Sequence, residues 1–455
     1  MARRIFPGLA LVFLGACSLV PDYRRPDFEI PADWSFRAPA WPDVAGLSPQ
    51  WWETFGDTEL NRLIVTALSG NLDLAAALDR VQQARAQAKI AGAPLWPDAS
   101  LTAIGDHEFS DTPRANKHTG EFGLNVNYEV DLWGRLRAGY NAALTRQRSA
   151  DYLREALRLV VMADVAVAYF RVVSLSEQQK IAVDNIRNAR EILRIVDIRF
   201  QLGAVSALDL AQQKTELAGQ VSQLELLRQQ TRVARNALAI LLGQAPQQLI
   251  LQARAIDAIT VPALSPPPPS TLLDSRPDIR PAELELLAAN TDIGVARAAF
   301  YPRLQLGLET LFTAGTTPQP AGLILALAGE LTQPIFQGGR LEGELERTES
   351  RRDELLQNYH KTVLIAFQDV EDAVVIRKQS ELRAKALRIA VVEAGKAYGL
   401  SLYLYEAGAR DFQTVLTAQR NLLNSQSALV QANEQILSAT VSIYRAVGGG
   451  WTEAG

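Results

Sequence analysis

The chain has 455 residues, of which 48% are hydrophobic and 21% charged, with a formal net charge of −4. This composition excludes a disordered chain and a polytopic helical membrane protein, and the acidic balance argues against non-specific nucleic-acid binding. The length suggests two to three domains. No uninterrupted apolar run of about 18 residues occurs, so no transmembrane helix is predicted.

Residues 1–16 are predicted to be a signal peptide. Arg3 and Arg4 precede an apolar stretch that ends in Leu14-Gly15-Ala16-Cys17, the order of basic, apolar and small residues that a secretory signal needs. Cys17 is the only cysteine and resembles the acylated residue of a bacterial lipobox; a signal peptide that ends at a cysteine by chance is the alternative. Ser18 follows, not the Asp associated with inner-membrane retention, which favours lipid anchoring in the outer membrane.

Two further segments are rich in proline. Residues 17–56 are rich in Pro and Trp, and because proline blocks regular helix and central strand, they predict a lipidated N-terminus followed by an extended arm. Residues 246–280 contain four consecutive prolines, Pro266–Pro269, and predict a stiff linker. Residues 449–455 are assigned to a C-terminal tail.

The chain repeats itself after 205 residues. The coinciding turn residues are Pro97 and Pro302, Gly134 and Gly339, Gly203 and Gly408, and Gly243 and Gly448. Since glycine and proline mark where elements stop, this coincidence without gaps predicts two copies of one structural unit. The copies are placed at residues 57–245 and 281–448.

Each copy is predicted to contain a helix, two strands, a very long helix, a turn and a last helix. In the first copy the helices are placed at about 57–92, 134–200 and 206–242, and in the second at about 281–299, 340–405 and 410–447. The long helices would extend roughly 100 Å at 1.5 Å per residue. Their apolar spacing predicts coiled-coil-like packing, which a soluble rod would also satisfy.

Four segments alternate with a period of two, at residues 99–109, 121–132, 304–312 and 321–333. In the second segment, apolar side chains alternate with side chains that are polar or charged. The apolar set includes Phe122, Leu124, Val126, Tyr128 and Val130. The other set includes Glu121, Asn125, Asn127, Glu129 and Asp131. Such strands suit a membrane barrel or a half-buried soluble sheet. Four strands cannot close a membrane barrel and open edges are not tolerated in lipid, so three chains with twelve strands are predicted.

The residues now match a known family. The matching motifs are Cys17–Tyr23, Trp51–Asp57, Asp131–Arg135, Ser275–Ile279, Phe300–Pro302, Gln333–Arg340 and Gly448–Trp451. They cover essentially the whole mature chain, which resembles the outer-membrane efflux duct family typified by TolC and OprM, in its lipoprotein branch. The resemblance implies a mainly α fold with a membrane β-barrel, in which three chains form one twelve-stranded barrel and a long helical tunnel.

The resemblance also implies partners and a lumen. A periplasmic adaptor (membrane fusion) protein and an inner-membrane pump, of the RND type, would join the homotrimer, and neither a cofactor, a metal ion nor nucleic acid is expected. The residues expected to line a wet, cation-tolerant barrel lumen are Glu121, Asn125, Asn127, Glu129 and Asp131.

The far ends of the long helices resemble the periplasmic tips of the family, which touch the adaptor and close the tunnel. The tip residues are Arg199, Phe200, Gly203, Tyr405 and Gly408. Well-capped turns without a further role are the alternative.

A gate is expected just beyond the second tip. Family members commonly carry a Leu and an Asp there, but this chain has Gln413 and Thr417, so Asp209, Arg410 and Asp411 become the charged candidates. A plain helix N-cap is the alternative role for Asp411.

An enzyme and a structural protein are the alternatives to a duct. The chain has three histidines and no metal-spaced cluster, nucleophile elbow or phosphate loop, so no enzyme is predicted. A structural periplasmic coiled-coil lipoprotein without transport is the second alternative. The four amphipathic strands favour the duct, because a spacer has no use for them.

Overall fold

The computed structural model describes residues 19–35, 48–108, 117–252, 254–264, 266–315, 322–449 and 451. Cys17 and the predicted signal peptide lie outside the described residues. The helices are α1 Thr58–Gly70, α2 Leu72–Gly92, α3 Arg135–Gln201, α4 Ala207–Leu241, α5 Leu272–Ser275, α6 Ile279–Ala298, α7 Arg340–Glu406 and α8 Phe412–Ala446. The strands are β1 Asp98–Glu108, β2 Lys117–Val130, β3 Arg303–Gly315 and β4 Gly322–Thr332. The order of helices and strands is the predicted one, except that the first helix of the first copy is divided in two.

One predicted helix is two. The pattern at 57–92 is interrupted at Asn71, whose backbone is extended with φ −67° and ψ 126°. The Asn71 carboxamide oxygen accepts hydrogen bonds from the N–H groups of Asp73 and Leu74, at 2.9 and 3.0 Å. Its NH₂ group donates to the Leu241 carbonyl at 2.8 Å, so one side chain begins α2 and also satisfies the end of α4.

The chain forms two compact units, and neither is continuous in sequence. The first comprises Met1–Phe28, Asp79–Tyr152 and Arg280–Lys361, and it contains the sheet. The second comprises Glu29–Leu78, Leu153–Ile279 and Thr362–Gly455. Each unit therefore draws on both copies of the repeat.

The first unit contains one antiparallel sheet with the order β1-β2-β3-β4. Its register carries the 205-residue repeat: Asp98 lies opposite Asn127 in the β1–β2 pair, and Arg303 lies opposite Thr332 in the β3–β4 pair. Arg303 and Thr332 each lie 205 residues beyond their counterparts Asp98 and Asn127. The 205-residue repeat that the turn residues indicate therefore also holds for the pairing of the strands.

The sheet has one apolar face across all four strands. Phe122 of β2 lies opposite Ala103 of β1 and Phe312 of β3, and Phe312 lies opposite Leu323 of β4. Because side chains alternate along each strand, this register aligns the apolar sets of neighbouring strands. In a single chain the face is open: Leu323 is 73% and Leu327 82% exposed.

The N-terminal arm lies on α6 in the first unit. The Asn290 side chain donates to the Pro21 carbonyl at 2.7 Å, and Arg25 pairs with Glu283 at 3.3 Å. A Cβ on Gly294 would lie 2.4 Å from the Val20 side chain, so glycine is what lets the arm approach the helix. Residues 19–35 have no helix or strand, as the proline content predicts.

The second unit has an aromatic core. Trp51 stacks on Tyr444 with ring centroids 5.0 Å apart, and Phe55 lies 5.3 Å from Phe170. Trp51 and Phe55 are fully buried in a short 3₁₀ turn, Trp51–Phe55. Burial of each large apolar side chain contributes about 1.5–3 kcal/mol. This end of the predicted arm is therefore part of the core.

The predicted linker is packed against the second unit. Buried apolar side chains recur along it, at Ile256, Ile259, Leu264 and Leu272. Residues 246–280 also include three short 3₁₀ turns and α5. Proline content correctly predicts the lack of long elements, while the buried residues between the prolines attach the segment to the unit.

α3 contains a window that is long and apolar enough to cross a membrane by length and composition alone. The window contains no unbroken apolar run, because up to two charged residues are compatible with it. Within the structure 67% of the window is buried, which is typical of a core helix.

Candidate functional site

The predicted tips lie in the second unit, where α3 and α7 end. At the first tip Gly203 has φ +70°, and its N–H donates to the Phe200 carbonyl at 2.9 Å. The next N–H, of Ala204, donates to the Arg199 carbonyl at 2.8 Å. Hydrogen bonds of this kind around a left-handed glycine terminate a helix and satisfy its last carbonyls.

The second tip repeats this geometry. Gly408 has φ +74°, its N–H donates to the Tyr405 carbonyl at 3.0 Å, and the Ala409 N–H donates to the Leu404 carbonyl at 2.8 Å. Every donor and acceptor is 205 residues beyond its counterpart in the first tip. Glycine is required at both positions because side chains other than Asn rarely adopt positive φ.

Arg199 joins the two tips. Its guanidinium donates to the carbonyls of Tyr405 at 2.9 Å and Glu406 at 2.6 Å, in the last turn of α7. The guanidinium carbon also lies 4.6 Å from the centre of the Tyr405 ring. A cation at a helix C-terminus is stabilised by the helix dipole, and stacking on the ring adds to this. We call this set of contacts the Arg199 clasp.

An apolar cluster lies beside the clasp. Tyr405 is 3% exposed, and its ring lies 5.5 Å from that of Phe412, the first residue of α8. The buried members of the cluster are Ile192, Val196, Tyr405, Phe412, Val415 and Leu416. Burial raises the pKa of Tyr405, while Arg199 acts in the opposite direction. Within the described residues the Tyr405 hydroxyl has no hydrogen-bond partner.

Two gate candidates cap helices. Asp209 accepts hydrogen bonds from the Ser206 N–H at 3.0 Å and hydroxyl at 2.8 Å, and the Asp209 N–H donates to the Ser206 hydroxyl, which completes a capping box at the start of α4. Asp411 accepts from the Thr414 N–H at 2.9 Å and hydroxyl at 2.6 Å at the start of α8. These hydrogen bonds, the side-chain one first, lower the pKa of Asp411.

The two caps each combine a hydroxyl and a carboxylate, but in exchanged positions. Ser206 and Asp411 are equivalent in the repeat, as are Asp209 and Thr414. The first tip thus has a hydroxyl followed by a carboxylate, and the second has a carboxylate followed by a hydroxyl. The N-cap role considered for Asp411 is the role that the structure shows.

The remaining gate candidates are exposed. Arg410, Gln413 and Thr417 lie on the surface of the chain, and the Thr417 hydroxyl donates to the Gln413 carbonyl within α8 at 2.9 Å. One turn further, Arg420 pairs with Glu216 of α4 at 2.7 Å. Sequence reasoning missed this pair, since nothing in the local pattern connects residues 204 positions apart.

Apolar side chains surround the tips on the solvent side. Phe200 is 39% exposed, and more strongly exposed residues that the sequence analysis did not single out are Leu202 at 77%, Leu208 at 64% and Tyr403 at 68%. These exposed apolar residues all lie within five positions of Gly203 or Gly408.

The predicted lumen residues divide into two groups. Glu121, Asn125 and Asn127 lie on the polar face of β2. Asn125 and Asn127 line a cleft of about 400 Å³, together with Glu309 and Glu330, which sequence reasoning missed. The Asn125 amide donates to the Thr102 hydroxyl at 3.2 Å.

Glu129 and Asp131 are engaged locally. Arg135 forms a bidentate pair with Glu129, with both distances from its terminal nitrogen at 2.9 Å. Asp131 lies one residue beyond β2, and its carboxylate accepts from the N–H groups of Leu136 and Arg137 at 3.0 Å each. Asp131 therefore caps the start of α3, because four unsatisfied N–H groups occur there.

A two-faced sheet and paired helices with matched tips are the features that the sequence analysis expects of an outer-membrane channel protein. The sequence profile of the outer membrane efflux protein family matches the chain twice, at residues 63–244 and 269–449. The pyoverdine export outer membrane protein OpmQ of Pseudomonas aeruginosa is 37% identical, with 97% of this chain and 96% of the relative covered. The toluene efflux pump outer membrane protein TtgC of Pseudomonas putida is 32% identical, with 97% and 94% covered.

A solved structure agrees with these relatives. The Campylobacter jejuni CmeC outer membrane channel matches with a TM-score of 0.88 at 27% identity, over 96% of each chain. The chain therefore belongs to the outer membrane efflux protein family. It is an outer-membrane efflux channel.

Proposed function

We propose that three copies of the chain form a passive duct, anchored in the outer membrane by an acylated Cys17. A periplasmic adaptor would dock onto the tips and connect the duct to an inner-membrane pump of the RND type. The lipobox-like Leu14-Gly15-Ala16-Cys17 supports the anchor. Membership of the efflux family supports the partners, since relatives carry the name of efflux pump components.

The observation that carries the proposal is the two-faced sheet. Its apolar face is continuous over four strands, while its polar face carries carboxylates and amides. In the described chain β1 and β4 each have one unpaired edge. Lipid does not tolerate an open edge, and about eight strands or more are needed for a membrane barrel. Three copies give twelve strands, with Glu121, Asn125 and Asn127 facing water in the lumen.

We assign the closed end of the duct to the tips. The Arg199 clasp holds the end of α7 to the end of α3, and release of these hydrogen bonds would free the α7–α8 pair. Asp209 and Asp411 are assigned capping roles, so closure rests on the clasp, with Arg410, Gln413 and Thr417 as the exposed side chains next to it. The exposed apolar residues Leu202, Leu208 and Tyr403 form the docking surface for the adaptor.

The cargo is set by the pump and not by this chain. Relatives named for pyoverdine and for toluene each match over 97% of the chain, which fits a duct that accepts what a pump delivers. The polar groups of the cleft would make the lumen tolerant of cations and of hydrated cargo.

The test uses the purified full-length protein. Native mass spectrometry should give three copies, and planar bilayers should show stepwise ion conductance, because a duct passes ions once its tips open. A structural spacer gives no conductance. A monomer in mild detergent, or trimers that never conduct in bilayers, would contradict the proposal.

A further inference from the structure

A cavity lined by amide side chains lies between α3, α4 and α8 of the second unit. Its volume is about 340 Å³, at the lower end of the range of small-molecule sites. All three helices contribute amides: Gln178 and Asn185 from α3, Gln220 and Gln223 from α4, and Asn424 and Gln431 from α8. Among the lining side chains that the structure describes, none is charged. The faces of paired helices that meet each other are usually apolar, so this lining is unusual.

The cavity has a buried side and an open side. Gln178, Asn185 and Gln220 are each only 6% exposed. Gln223 and Gln431 are exposed, so the cavity is accessible from solvent on their side. Burying an amide is costly unless its polar groups are hydrogen-bonded, and the buried amides therefore need partners.

The protein itself holds two of the buried amides. The Gln178 side-chain oxygen accepts a hydrogen bond from the Gln431 side chain at 3.3 Å, and its NH₂ group donates to the Ser174 hydroxyl at 3.2 Å. The Asn185 NH₂ group donates to the Ile181 carbonyl at 2.7 Å. Because an amide oxygen can accept two hydrogen bonds, Gln178 retains capacity for a further donor.

The third buried amide, Gln220, is satisfied on one side only. Its NH₂ group donates to the Glu216 carboxylate at 3.0 Å, and Glu216 is also paired with Arg420 at 2.7 Å. Since a carboxylate only accepts, the NH₂ group has to face Glu216, and the amide orientation is fixed. The Gln220 side-chain oxygen is buried and has no hydrogen-bond partner among the described residues. A buried acceptor of this kind indicates a donor that comes from outside the protein.

The amides are confined to the first copy of the repeat. The residues 205 positions beyond Asn185 and Gln223 are Ala390 and Ala428. Both copies build the same pair of long helices, so the packing of these helices does not itself require amides. The amides of the first copy therefore call for another explanation.

We propose that this cavity binds a small neutral molecule with several hydroxyl groups, a monosaccharide or a related polyol. A hydroxyl both donates and accepts, as amides do, so one hydroxyl would donate to the Gln220 oxygen and another to the Gln178 oxygen. A charged ligand would be enclosed without a counter-charge, and an apolar ligand would leave the Gln220 oxygen unpaired. The bound molecule would contact α3, α4 and α8 together and stabilise their packing.

Equilibrium dialysis of radiolabelled polyols against the full-length protein tests the site, in a detergent whose head group is not a sugar. The neutral probes are glycerol, glucose and myo-inositol, and gluconate and glucosamine are the charged counterparts of glucose. We expect saturable, one-to-one binding of a neutral probe, and about tenfold weaker binding of the charged probes.

A matched pair of variants locates the binding. Gln220→Met keeps the length of the side chain without its amide and should weaken binding about tenfold. Gln230→Met removes an exposed amide from the same helix and should bind as the parent does. Should Gln220→Met fail to fold, Gln223→Met on the open side is the second variant, with an expected loss of about threefold.

Thermal unfolding gives an independent measurement. A ligand that binds only the folded protein raises its Tm in a saturable way, whereas excluded solutes raise it without saturation. The saturable rise should occur in the parent and in Gln230→Met, and should be lost in Gln220→Met.

The outcomes are distinct from those of the proposed function. Absence of saturable binding for all three neutral probes would mean that ordered water alone occupies the cavity, which overturns the proposal. Equal binding by Gln220→Met and the parent, or by charged and neutral probes, overturns it as well. The lining comes from a single chain, so polyol binding by a protein that forms no trimer would support the site and contradict only the duct.

Discussion

The two tips have the same backbone and different side chains. Gly203 and Gly408 have φ values of +70° and +74°, and the hydrogen bonds around them match donor for donor. Yet Arg199 is equivalent to Leu404, and Phe200 is equivalent to Tyr405. The repeat thus conserves how each helix ends, because any change there costs backbone strain. The side chains that determine which residues each helix end contacts differ between the two copies.

This comparison gives the tips unequal roles. The first tip donates the guanidinium, and the second tip offers the carbonyls and the ring that receive it. The contact is not reciprocal, because Leu404, the equivalent of Arg199, has no side-chain donor for the carbonyls of the first tip.

Proline at either tip glycine should abolish export. Proline cannot adopt positive φ and removes the N–H that donates to Phe200 or Tyr405, at a local cost of about 3 kcal/mol or more. Gly203→Pro and Gly408→Pro should both lose export in cells where this chain is the only outer-membrane duct, while the trimer assembles. Gly408→Asn is the matched control, because Asn tolerates this conformation. Normal export by either proline variant would show that the tips are not functional.

Removal of the first cap should loosen one tip. Ser206→Ala deletes the hydroxyl that accepts from Asp209, and loss of such a cap costs about 1 kcal/mol. Hydrogen exchange should become faster at the start of α4 and stay unchanged at the start of α8. Ser206→Thr retains the acceptor and should behave like the parent protein. Equal acceleration at both helices would mean that the two caps are not independent.

Tyr405→Phe makes the second tip resemble the first. The buried hydroxyl has no partner in the described chain, so its removal should leave thermal stability unchanged or raise it by up to about 1 kcal/mol. The ring remains available to Arg199. Clear destabilisation would reveal a hydrogen-bond partner for this hydroxyl in the assembled duct.

Asp411→Asn should change almost nothing. Asn is as good an N-cap as Asp and accepts the same hydrogen bond from the Thr414 N–H. Ion selectivity in planar bilayers should therefore equal that of the parent. A fall in cation selectivity would restore Asp411 as part of a charged gate. Asp411→Ala, which cannot cap, should in contrast accelerate hydrogen exchange at the start of α8.

Much of the fold is predictable because its signals are local. The strand faces follow from alternation, and the tip turns follow from Gly203 and Gly408, since one residue type suits that conformation. The capping box of Ser206 and Asp209 is also readable as a serine followed three residues later by an acidic residue. Asn71 was missed because a helical pattern continues on both sides of it.

The site itself was only partly predictable. Arg199 was placed at a tip, but its acceptors are backbone carbonyls 206 and 207 residues away, and backbone carbonyls carry no sequence signal. Asp131 was assigned to the lumen from alternation, which continues past the point where β2 ends. Its carboxylate instead caps the start of α3, because the first N–H groups of a helix have no acceptor within the helix.

If the Arg199 clasp keeps the duct closed, its loss should raise the leak of the closed duct in planar bilayers. Arg199→Met keeps the length of the side chain without its donors, and Leu404→Met is the matched change at the equivalent position of the other tip. Loss of the clasp should weaken the closed state by about 1.4 kcal/mol, so Arg199→Met should raise the open fraction about tenfold. Leu404→Met should leave the leak at the parent level. Equal leak from the two variants would contradict the account.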